Sequence, residues 1–102
     1  MATVQGTVQQ PAEQLFAVLQ HAAGQVGYRY DPTKSRPGVW AFVRDASLWS
    51  WGSQINISIQ PVSPTHTNLT AQTYEKMAVW DWGRGRRAAT RLLTAAGATG
   101  AA

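Results

Sequence analysis

Cysteine is absent from this 102-residue chain. Its absence rules out a disulfide framework, a thiol nucleophile and a thiolate metal site, and it leaves the compartment undecided. Long apolar runs are missing as well. No window approaches the ~18–20 apolar residues of a membrane-spanning helix. The first ten residues are polar at alternate positions, unlike a charged-then-apolar leader. The expectation is a soluble, cytoplasmic protein. Acids are scarce: Asp and Glu together number 5, against 9 Lys and Arg. No histidines or carboxylates stand at metal-ligand spacing, and G-x-S-x-G is absent. His21 and His66 have no obvious partners. The residues point to no catalytic machinery, and neither a metal nor another cofactor is expected.

The chain does have one domain's worth of length and five tryptophans. A domain this size buries roughly two-thirds of its unfolded surface, enough for an independent core. The formal net charge is +4, and its placement matters more than its size. Up to Glu75 the bases Arg29, Lys34, Arg36 and Arg44 cancel Glu13, Asp31, Asp45 and Glu75. Beyond that point Lys76, Arg84, Arg86, Arg87 and Arg91 face Asp81 alone, so the net charge sits in the last quarter of the chain.

Periodicity predicts seven elements. Thr3–Gln9 alternates as a first strand. Pro11–Ala23 reads as a helix, with Leu15, Phe16, Leu19, Ala22 and Ala23 on one stripe and Gly24 as its stop. Gln25–Asp31 is a short strand with Val26, Tyr28 and Tyr30 on one face, and Val39–Arg44 is a second, apolar one. Gln54–Gln60 alternates most clearly, with Ile55, Ile57 and Ile59 opposite Asn56 and Ser58. A turn lies within Pro61–Pro64, followed by a strand over His66–Tyr74. The last helix spans about Gly83–Ala96, with Ala88, Ala89, Leu92, Leu93 and Ala96 inward and Arg84, Arg87 and Arg91 outward. The order β-α-β-β-β-β-α with short connections implies an α+β domain: an antiparallel sheet with two helices packed on one face and the other face wet. Residues 1–97 form the expected domain, and 98–102 a flexible tail.

The sequence VWDWGRGRRAATRLL (Val79–Leu93) raises the functional question. A helix N-terminus carries partial positive charge, so Arg84, Arg86 and Arg87 each work against it by a few tenths of a kcal/mol unless paired. Asp81 suits the cap, where its carboxylate accepts from the first unpaired N–H groups. Glu75 and Asp45 are further internal counterions, and an external anion is the other solution. Glycines, helix N–H groups and guanidinium forks make a good oxyanion receptor. G-R-G-R-R lacks P-loop spacing, so a nucleotide hydrolase is not expected. Trp80 and Trp82, echoed by Trp49 and Trp51, either close the ends of a small core or form an aromatic platform for a partner.

Ser50-Trp51-Gly52, the alternating Ile strand, the Thr-rich strand and Asp81-Trp82-Gly83 before the last helix resemble a family of small bacterial domains of unknown function. That family carries S-W-G-E before one strand and D-W-G-K-N before the last helix; here Ser53 replaces the Glu and Gly85 the Asn. The resemblance implies the fold and no activity. The leading expectation is a non-enzymatic binding module. In it Arg84, Arg86, Arg87 and Arg91, flanked by Trp80 and Trp82, meet an acidic protein surface, an anionic membrane or a small anion. Single-stranded nucleic acid on the same patch is the alternative, as is a carrier holding an apolar ligand between sheet and helices. An exposed edge strand or the tryptophans also leave self-association open.

Overall fold

The computed structural model describes residues 2–44, 52–75 and 84–100, with backbone alone at residues 2, 75, 84 and 85. In chain order the elements are β1 (Ala2–Val8), a 3₁₀ turn (Ala12–Gln14), α1 (Leu15–Gln25), β2 (Arg29–Tyr30), a second 3₁₀ turn (Pro32–Lys34), β3 (Val39–Arg44), β4 (Ser53–Ser63), β5 (His66–Glu75) and α2 (Arg84–Ala95). The strands form one antiparallel sheet in the order β1-β5-β4-β3-β2. This is the α+β architecture and element order expected from the sequence.

Strand parity builds the core. Val4 and Val8 of β1, Leu69 and Ala71 of β5, Ile55 and Ile57 of β4 and Phe42 of β3 share one face and are buried. Leu15, Leu19, Ala22 and Ala23 of α1 and Ala89, Leu92 and Leu93 of α2, with Ala96 just beyond it, close over that face in the same cluster. The opposite face carries Thr3, Gln5 and Thr7, then Asn68, Thr70 and Gln72, then Gln54, Asn56, Ser58 and Gln60; it is the wet side over β1 and β5 and becomes buried at Asn56, Ala41 and Val43 towards β3. Phe16 of α1 meets Tyr30 and Trp40 edge-on, at ring-centroid distances of 4.9 and 5.0 Å, and so ties α1 to β2 and β3.

Several boundaries differ from the sequence reading, each for a local reason. Helix α1 begins at Leu15, because the Pro11 end is wound as a 3₁₀ turn with Gln14 N–H donating to the Pro11 carbonyl at 3.1 Å. Gly24 does not stop the helix. The stop is Gly27, with φ +86°, where Tyr28 N–H donates to Ala23 O at 2.8 Å and Gly27 N–H to Gly24 O at 3.3 Å. That is a Schellman closure, and it consumes Val26–Tyr28 and shortens β2 to two residues. β4 runs past its expected end through Pro61. β3 pairs only as far as Ser58, so Pro61 lies where no ladder N–H is needed on that side.

The C-terminus repeats the Schellman device. Gly97 (φ +89°) donates to Thr94 O at 2.9 Å and Ala98 N–H to Leu93 O at 2.9 Å, and Ala98 packs on the core. Thr99 then exchanges backbone hydrogen bonds of 3.1 and 2.8 Å with Thr7. The tail expected from residue 98 is therefore tied to β1 at Thr99.

Two stability predictions follow from this packing. Phe42→Ala, at a fully buried ring, should cost about 3–5 kcal/mol in urea unfolding, whereas Val62→Ala, 56% exposed, should change stability by less than ~0.5 kcal/mol. Gly24→Ala, inside α1 with open space at its Cβ position, should stabilise by ~0.5–1 kcal/mol, and Gly27→Ala should destabilise by about 1–2 kcal/mol through its left-handed backbone. Opposite signs at glycines three positions apart would confirm where the helix ends.

Candidate functional site

The amphipathic character of α2 sorts its residues cleanly. Ala89, Leu92 and Leu93 are fully buried, while Arg86, Arg87 and Arg91 lie exposed on the other side. The first turn of α2 contains no acid and its last turn no base, so its charge runs against the helix dipole.

The arginines are not equivalent. Arg86 Nη2 donates to the Thr3 carbonyl at 3.4 Å, a long bond across to the outermost strand of the sheet. Among the described residues Arg87 and Arg91 have no hydrogen-bond or ion-pair partner. The side chain of Arg84, and all of Trp80, Asp81 and Trp82, lie outside what is described, as do Asp45, Trp49 and Trp51; so does the Glu75 side chain. Asp31 is engaged locally: it accepts from Thr33 Oγ1 at 2.6 Å and Thr33 N–H at 2.9 Å, capping its own 3₁₀ turn. The Thr33 hydroxyl bond, above all, holds its carboxyl below the usual range, with smaller help from the backbone bond and from Lys34 and Arg29.

The two histidines serve local contacts at separate places. His21 Nε2 is 3.2 Å from Gln25 Nε2 one helical turn on, and His66 Nδ1 is 2.9 Å from Thr65 Oγ1 at the β4–β5 turn. A polar cleft of ≈ 310 Å³ lies on the wet face between Gln5, Thr7, Gln60, Asn68, Thr70 and Thr99.

The sequence reading missed a second polar group, on the helix-covered face. Register pairs Arg44 with Ser53 and Arg29 with Val43, so Tyr28, one residue ahead of β2, continues the row that Arg44 of β3 and Ser53 of β4 begin. The Tyr28 and Ser53 hydroxyls are 2.5 Å apart, and the Arg44 guanidinium carbon lies 5.3 Å from the Tyr28 ring centroid. Counting parity along VWAFVR would have found it, because Arg44 shares a face with Trp40 and Phe42.

No protein-family model matches the sequence, and no curated protein matches it. Among solved structures the chain is similar to the di-domain ARO/CYC StfQ from the steffimycin biosynthetic pathway. The TM-score is 0.59 at 14% identity, over 94% of this chain and 43% of that one. The likeness is one of fold, and this chain spans less than half the length of that protein. Among the described residues no helix is long and apolar enough to cross a membrane.

If Arg86 does little more than reach Thr3, Arg86→Ala should shift the unfolding free energy by less than ~0.5 kcal/mol in urea titration, as expected for an exposed side chain making one long bond.

Proposed function

We propose that this domain is a non-enzymatic binding module that takes an anionic partner on the exposed face of α2. Its contacts would be Arg84, Arg86, Arg87 and Arg91, with Trp80 and Trp82 supplying apolar area and Asp81 capping the helix. One observation carries the reading: Arg87 and Arg91 stand in solvent with no acid near them among the described residues, on a helix whose first turn has no acid to offset them. Such a charge arrangement works against helix stability, which an arriving carboxylate, sulfate or phosphate would reverse. Charge steering and guanidinium hydrogen bonds are the mechanism. The resemblance to small bacterial domains with the S-W-G-E and D-W-G-K-N pattern fits a module of this size and adds no chemistry.

The alternative of single-stranded nucleic acid on the same patch is weaker. The described part of the sheet's wet face carries one base, Arg29 on β2 at the far edge from β1, so no continuous basic track leads away from α2 to follow a backbone. A carrier for an apolar ligand has the fold shared with StfQ in its favour, against an inner face already filled by Phe42, Ile55, Ile57, Leu69, Leu92 and Leu93.

Melting temperature measured against sulfate, polyphosphate, short single-stranded DNA and anionic vesicles tests the reading. A true ligand at a hundred times its dissociation constant should stabilise by ~2.7 kcal/mol, several degrees for this size. Arg87→Glu with Arg91→Glu should abolish that shift. A flat panel, or a shift that survives the double substitution, refutes α2 as the receptor. Steep loss of a DNA-induced shift with salt would move the reading to nucleic acid.

A further inference from the structure

Arg44 has an unresolved hydrogen-bonding problem. Its Nε is buried and has no partner, and among the described side chains no carboxylate reaches the guanidinium. Buried N–H groups in native proteins almost always find an acceptor, so an orphan on a cation calls for an explanation. The Tyr28 ring is not one. It meets the guanidinium carbon at 5.3 Å as a cation–π neighbour, an attraction to the charge that gives Nε no hydrogen-bond acceptor.

The neighbours of Arg44 sharpen the point. Tyr28 is 5% and Ser53 8% exposed, and their hydroxyls, 2.5 Å apart, share one hydrogen bond. One hydroxyl donates to the other, which leaves the second hydroxyl's proton seeking an acceptor elsewhere. The row thus presents guanidinium N–H groups and one O–H, all donors, and no anion among the described side chains. Next along the same face stand Phe42, Ile55 and Thr73, in register and buried, so the row backs onto closed core. Arg44 itself stays partly exposed, which leaves a way in from solvent.

We infer that Tyr28, Arg44 and Ser53 form a second binding site, on the helix-covered face, for the carboxylate of a small apolar acid. A carboxylate supplies planar paired acceptors that match the guanidinium fork, and it has lone pairs to spare for the hydroxyl. Phe42 and Ile55 behind the row are filled core, so the apolar body would lie outward, beside the Tyr28 ring and the part of Arg44 that meets solvent. The site is separate from the α2 arginines, and it does not depend on an anion binding there.

The test uses the full chain, with 2-naphthoate as the probe and the uncharged, isosteric 2-naphthamide as its control, read by calorimetry. Naphthoate should bind saturably at one site, and Arg44→Gln should weaken it by about 10-fold or more, since the lost bonds are charge-assisted. Naphthamide should bind more weakly than naphthoate to the native chain and equally weakly to the variant. Tyr28→Phe should weaken naphthoate several-fold. The backbone of Glu75 pairs with Ser53, so Glu75→Gln tests whether that acid is the internal counterion of Arg44; naphthoate affinity should hold or rise. No saturable binding, naphthamide binding as tightly as naphthoate, or an Arg44→Gln affinity equal to that of the native chain overturns the assignment. Should Arg44→Gln fail to melt cooperatively, Arg44→Lys keeps the charge and loses the fork; a clear drop in affinity supports the site and an unchanged affinity sinks it.

Discussion

A five-stranded sheet whose residues alternate between apolar and polar has one face that water cannot cover, and the rest of this structure follows from closing it. Two helices of 11 and 12 residues do so, and each can, because its own apolar residues recur at helical spacing. Both helices must also end where the sheet ends. Two of the left-handed glycines, Gly27 and Gly97, terminate α1 and α2 by the same Schellman geometry and return the chain to the sheet. Tyr28 then leads into β2, and Thr99 comes to rest against Thr7.

The edges of the sheet are handled by what remains. In an antiparallel strand, alternate residues point both backbone groups away from the neighbour, so Thr3, Gln5 and Thr7 of β1 face outward once Val4 and its parity mates pair with β5. Thr99 occupies Thr7 from both backbone groups and Arg86 reaches the carbonyl of Thr3. At the other side β2 has only two residues, too few to template a further strand. Self-association through a long bare edge, left open by the sequence, meets obstruction at both sides of the sheet.

Elements with strong periodicity were legible in the sequence: β3 has its expected bounds, and the inward and outward faces of α2 fall where the spacing of Ala89, Leu92, Leu93 and the arginines puts them. Boundaries set by three-dimensional context were not. Gly24 looks like a helix stop because glycine is a poor helix former, yet three residues later Gly27 offers the positive φ that terminates the helix, and composition does not rank one above the other. Pro61 reads as a turn until the short reach of β3 shows that its missing N–H would have had no partner there. The tail GATGAA has no bulk, and its attachment is a backbone pairing that side-chain pattern cannot announce. Arg44 was counted among charges that cancel, when its position in a strand, two residues beyond Phe42, placed it on the buried face. The arginine-rich start of α2 drew attention by abundance; Arg44 matters through location.

Location decides which of the two basic sites has the greater leverage. The α2 arginines stand in high-dielectric solvent, where salt within about 8–10 Å screens them and an individual ion pair is worth at most ~1 kcal/mol, so they can attract a partner over distance and hold it only collectively. Arg44 is alone, but its Nε is already out of water, the Tyr28 ring centroid lies 5.3 Å from the guanidinium carbon, and part of the desolvation that a binding anion must impose has been incurred in folding. A single preorganised fork in such surroundings discriminates by shape and charge, while a row of exposed forks discriminates chiefly by charge. The two proposed sites would therefore suit different partners, an extended anionic surface at α2 and one compact acid at Arg44, and one small fold could hold both because α2 turns its arginines outward while Arg44 lies on the sheet face that the helices cover.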